Sequence, residues 1–191
     1  MSYLCSTGGI IRMTKIHKNF YLGSWTAGGA IIIIMLAAGW IAFLKGNQDL
    51  AADLYIYAII PYTYLGVVWL ALLYQSWAAI QDAHSAVTPV KAVVFMLTPF
   101  FRYYWIFRVF GNYAGEFNAF VARRCLAVPS LSDGLFMAFS ILWITYGILQ
   151  SALIGTGLQV LLIGAYLVVG TMTLNTLCNG LIGLAALRDN G

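Results

Sequence analysis

Charge is scarce in this chain. Charged side chains make up 8% of the 191 residues, and none occurs over the 54 positions from Gly134 to Leu187. A composition 62% hydrophobic leaves too little polar surface for a water-soluble globule of this size, which makes lipid the expected solvent. There are six acids, Asp49, Asp53, Asp82, Glu116, Asp133 and Asp189, and none falls inside a long apolar run. That argues against a proton or sodium relay, which needs an ionisable group held in the bundle. The three cysteines, Cys5, Cys125 and Cys178, are too scattered for a C-x-x-C metal or redox pair and give no disulfide framework. Gly155 and Gly157 are followed by Leu158-Gln159, so there is no phosphate-binding loop. Only His17 and His84 could pair as haem ligands, and both lie outside the apolar runs, where an interfacial titratable side chain is the plainer reading. No catalytic set, metal site or cofactor is expected.

What is present is apolar length. The run from Gly134 would stretch about 80 Å as one helix, far beyond a bilayer core of about 30 Å. It must double back, and Ile154-Gly155-Thr156-Gly157 is the natural fold point, since glycine permits a tight turn there. Spans are therefore expected near 135–154 and 158–187. Two more are expected near 21–44, between Lys18 and Lys45, and near 54–80, between Asp53 and Asp82. The first is too long for a cleaved signal core and reads as retained. Pro61 should bend the second. No separate soluble domain or repeat fits, and the whole of 1–191 reads as a single membrane domain.

Residues 88–124 are the difficult stretch. If they cross, basic residues divide four against four, with Arg102 and Arg108 in or near lipid. If they do not, Arg12, Lys15, Lys18, Lys91, Arg102, Arg108, Arg123, Arg124 and Arg188 share one face and only Lys45 lies opposite. The positive-inside rule favours the second count and makes that face, with both termini, cytoplasmic. Ten aromatics crowd Phe100 to Phe120, and Tyr and Trp favour headgroup depth. Pro99 should kink or reverse a helix begun near Pro89. Spacings of 14 and 7 place Arg102, Glu116 and Arg123 on one helical stripe. The expected architecture is thus all-α, with four transmembrane helices plus a kinked re-entrant helix that continues as an interfacial aromatic one. Arg102, Tyr103, Tyr104, Trp105, Arg108, Glu116, Arg123 and Arg124 then lie at the membrane boundary. The alternative is five transmembrane helices.

The string Lys91-Ala-Val-Val-Phe-Met-Leu-Thr-Pro99-Phe100-Phe101-Arg102-Tyr103-Tyr104-Trp105-Ile106-Phe107, followed by Gly115-Glu116-Phe117-Asn118, resembles a segment of small bacterial inner-membrane proteins. In those an apolar stretch leads into Pro-Phe-Phe-Asn-x-Tyr-Trp-Ile-Phe and then an acid and Asn, often beside a GYF-like domain. The likeness covers about a sixth of the chain. Arg102 stands where the pattern has Asn, and no GYF-like region is present. The resemblance implies a bacterial inner membrane and no particular activity.

Thr171, Asn175 and Asn179 recur every fourth residue on the last span, so they share a face on which each amide needs a partner. They either bond a neighbouring helix or line a polar path. Small residues at four-residue spacing, Ser24/Gly28, Ala38/Ala42 and Gly147/Ser151/Gly155, would let backbones approach closely. Three functions follow: a non-catalytic membrane subunit packing with partner proteins in a larger assembly; a homo-oligomeric channel or lipid-handling protein; or an electron-transfer subunit binding haem or quinone near His17 or His84. Expected partners are membrane lipids, drawn to the basic face, and other membrane subunits or further copies of the chain. The net charge of +4 implies no nucleic-acid role.

Overall fold

The structure, a computed structural model, describes residues 17–149 and 157–189, without the side chains at 188 and 189. Cys5, Arg12, Lys15 and the turn at 154–156 lie outside the described residues, as does the small-residue pair at 151 and 155. All the regular structure described is helical: α1 (Lys18–Leu44), α2 (Gln48–Tyr57), α3 (Ile59–Ala79), α4 (Pro89–Leu97), α5 (Phe101–Ile106), a π-helical turn (Phe107–Gly111), α6 (Tyr113–Arg123), α7 (Asp133–Leu149) and α8 (Gly157–Asp189).

Three helices are long and apolar enough to cross a membrane: Lys18–Leu44, the α2–α3 unit Gln48–Ala79, and Leu158–Leu187. This is compatible with an all-α membrane protein. α7 has 17 residues, about 25 Å at 1.5 Å per residue and just short of a typical span. The second long unit begins at Gln48, before the expected 54, and is interrupted at Ala58. Pro61 explains the break, because it cannot donate to the Tyr57 carbonyl and its ring crowds that turn. Gly46, at φ 77°, turns the chain out of α1, and the Asn47 side chain caps α2 by accepting from the Leu50 N–H at 3.1 Å.

Cross-contacts fix the order of the bundle. α2–α3 runs antiparallel to α1: Gly39 lies against Tyr55, Gly28 against Leu65, and Trp25 packs edge-on to Trp69 at 5.3 Å. α8 runs antiparallel to α1 and α7, with Gly29 against Leu167 and Gly170 against Trp25 and Phe139. Close backbone approach at these glycines is the packing that membrane helices use.

The segment 88–124 departs from the expectation. α4 enters beside α3, capped by the Thr88 hydroxyl and started on Pro89. It stops where Pro99 withholds a donor, Thr98 being extended and Phe100 sitting at φ 61°. From Phe101 an almost unbroken helix then runs parallel to α3. Phe110 meets Trp69, Trp77 Nε1 donates to the Val109 carbonyl at 3.2 Å, and Tyr113 Oη donates to the Ser76 carbonyl at 3.1 Å. At its end Arg123 pairs with Asp82 at 2.9 Å. The element is thus a helical hairpin that enters and leaves at one end of the bundle, with Ile106, Val109, Phe110, Tyr113, Ala114, Phe117 and Val121 buried.

An amphipathic helix lying along one boundary is therefore corrected. Phe101 to Arg123 rises about 33 Å, and it carries Arg102 and Arg123 to opposite ends of that rise. The single stripe through Arg102, Glu116 and Arg123 is corrected too: the π turn, closed by the Asn112 N–H on the Phe107 carbonyl at 3.0 Å, shifts the helical phase. Arg123 faces Asp82, whereas Glu116 lies in a shallow groove beside Asp133.

Candidate functional site

Seven elements converge on a cavity of about 200 Å³. Its walls are aromatic: Trp25 from α1, Tyr62 and Trp69 from α3, Phe110 from the π turn, Phe139 and Trp143 from α7, and Tyr166 from α8, with Met96 and Leu97 of α4 and Arg102 of α5. The rings form a continuous stack, Trp69 on Phe139 at 4.9 Å and Phe139 on Tyr166 at 5.5 Å. Such pairs add about 0.5–1.5 kcal/mol each beyond simple burial. Gly66, Tyr62 and Leu97 line the cavity and are exposed, and the Cβ position of Gly66 meets nothing within 4 Å, so the cavity wall reaches the outer side of the bundle there.

Arg102 is the charged group of this site. Half-buried, it donates from Nη2 to Tyr103 Oη at 3.3 Å, and its guanidinium carbon lies 5.1 Å from the Tyr103 ring centre and 5.6 Å from that of Trp143. These cation–π contacts stand where an acid would be expected, for the only ion pair among the described residues is Arg123 with Asp82. Arg102 Nε and Trp69 Nε1 are buried and have no hydrogen-bond partner among the described residues. Two unpaired donors at one apolar cavity are a feature that charge counting alone could not supply.

The other expected boundary residues spread around the hairpin. Tyr103 packs on Trp143, Trp105 donates from Nε1 to the Ala92 carbonyl at 3.3 Å, and Tyr104 and Arg108 are exposed. Arg124 lies over the Phe120 ring. At the base, burial of Asp82 works to raise its pKa, but hydrogen bonds from Arg123, the His84 N–H and Ser85, with the Arg123 charge, outweigh it and hold the carboxyl below its ordinary range.

Thr171 and Asn179 bind α1. Thr171 Oγ1 accepts from Trp25 Nε1 at 3.1 Å, and Asn179 Oδ1 accepts from Lys18 Nζ at 2.7 Å, with half-buried Asn175 one turn from each. His17, at the start of α1, and His84, in the loop before α4, are exposed and do not line the cavity.

No family model, curated protein or solved structure matches the chain.

Proposed function

We propose that the protein is a non-catalytic, multi-pass protein of the bacterial inner membrane that holds a lipid-like amphiphile in the aromatic cavity. The observation that carries this reading is the pairing of an apolar, laterally open pocket with two unpaired buried donors, Arg102 Nε and Trp69 Nε1. A ligand site of this kind is an apolar hollow with a few convergent polar groups, and an ionisable residue inside a membrane bundle marks a site of action.

On this reading α1, α2–α3, α7 and α8 make four crossings and α4–α6 is re-entrant, supported by the hairpin's return to the end at which it enters. Lys18, Lys91, Arg123 and Arg124 gather at the end where the hairpin enters and leaves, while Lys45 lies at the other. The positive-inside rule makes the first end cytoplasmic, with both termini. Photolabelling tests the function. An acyl probe bearing a diazirine, activated on the detergent-solubilised protein, should label Met96, Leu97 and Trp143 and be competed by unlabelled amphiphile. Labelling confined to outward residues such as Ile31 and Ile34 would refute it.

A second reading, a subunit packing against partner membrane proteins or another copy, draws on one observation. Gly23, Ala27 and Ala30 leave a flat exposed stripe on α1, the surface that membrane helices use for close approach. A native mass above that of one chain after gentle extraction would support it.

A further inference from the structure

We infer that the cavity selects an amphiphile with one chain and an anionic head, a carboxylate or phosphate monoester, with Arg102 as its counter-ion. This rests on the reading that the cavity holds an amphiphile, and it specifies which kind.

Four observations carry it. Arg102 has no acid partner among the described side chains, where the only ion pair is Arg123 with Asp82; residues 1–16 and 150–156 contain no Asp or Glu, and Asp189 closes α8 23 residues beyond Tyr166 of the cavity wall, about 34 Å away along the helix. A cation in a site walled by rings is best satisfied by an anion brought by the ligand, because burying a charge without its counter-charge is unfavourable. Next, Arg102 Nε and Trp69 Nε1 are both donors, and Trp69 is only 9% exposed. Their complement is a group that only accepts, which describes an ionised carboxylate or phosphate and not an amine or an amide. Size supplies the third. A dry cavity of about 150 Å³ suffices for benzene, so 200 Å³ takes a head and the first few methylenes, not the body of a two-chain lipid. Finally, the exposed Gly66, Tyr62 and Leu97 of the cavity wall give the remaining chain an exit along the apolar surface of α3.

The test is native mass spectrometry of the full chain in a nonionic detergent, titrated separately with hexadecyl phosphate, palmitate, methyl palmitate and inorganic phosphate. Both anionic amphiphiles should form one saturable adduct. Methyl palmitate should bind at least about tenfold more weakly, as loss of a charge-assisted hydrogen bond implies, and inorganic phosphate should not bind measurably. Arg102→Gln should reduce the anionic ligands to the level of the ester. Arg102→Lys, which keeps the charge, should recover most of the affinity and so separate loss of the counter-ion from loss of fold. Equal binding of palmitate and its ester, or an unaltered Arg102→Gln protein, would overturn the assignment of the head while leaving the cavity occupied. Inorganic phosphate binding as tightly as hexadecyl phosphate would overturn the amphiphile in favour of a free anion. Absence of a saturable adduct with every ligand would overturn the proposed function itself.

Discussion

Glycine at the α1–α8 crossing gives the sharpest test of how the bundle is held. A Cβ built on Gly170 would fall on the Trp25 indole, whereas one built on Gly66 meets nothing within 4 Å. Both glycines lie in helices, so replacing either by alanine gains the same propensity, about 1 kcal/mol. Subtracting the two effects cancels that gain and isolates the packing. Overpacking a tight core costs about 1–3 kcal/mol. Displacing Trp25 also strains its Nε1 bonds to the Leu167 carbonyl at 3.2 Å and Thr171 Oγ1 at 3.1 Å, worth about 0.5–1.5 kcal/mol each. Gly170→Ala should therefore be less stable than Gly66→Ala by about 2–3 kcal/mol. Reversible unfolding in lipid–detergent micelles, titrated with sodium dodecyl sulfate and followed by circular dichroism, measures the difference. Values within about 0.5 kcal/mol of each other, below the range for overpacking, would mean that α1 and α8 do not meet at this glycine.

Other expectations follow from named contacts. Trp77→Phe leaves the buried Val109 carbonyl without its donor, a loss of about 1–3 kcal/mol, and should speed amide exchange through the π turn at 107–112. Thr171→Val removes the side-chain acceptor of Trp25 and should cost about 0.6 kcal/mol, the usual worth of such a bond between membrane helices. The Asp82 carboxyl is held below its ordinary pKa, so its contribution is fully present above the unfolded value of about 4 and is lost as pH falls through the lower folded one. Unfolding midpoints measured from pH 7 downward should show this loss in the native protein and not in Asp82→Asn. Gly66→Leu should narrow the lateral opening and weaken ligand adducts without lowering stability; an unaltered ligand titration would move the entry elsewhere.

The apolar lengths and the two proline breaks were legible in the sequence because each follows from a local rule. Pro61 withholds a donor from the turn at Ala58, and Pro99 does so at the end of α4. The fate of the aromatic segment was not local. Tyr, Trp and Phe at this density suit a headgroup layer and a ring-packed bundle equally well, and only the partners on α3 and α7 distinguish the two. Arg102 shows the limit of charge counting, which places every cation at a boundary. Its compensation comes from Tyr103, one residue away, and from Trp143, forty-one residues away. A usable signal did stand in the sequence: an arginine three residues after the proline that reverses the helix, carried inward by that reversal. The cavity had no such signal, since seven separate elements build it.

The claim on which the account turns is that α4–α6 enters and leaves at one end of the bundle and so delivers Arg102 to its interior. Single cysteines at exposed positions 47, 86 and 122, in a protein whose native cysteines have been replaced, can be labelled with a membrane-impermeant maleimide in oriented vesicles. Positions 86 and 122 should react from the cytoplasmic side and position 47 from the other. Labelling of 86 and 122 from opposite sides would make the segment a fifth crossing and contradict the account.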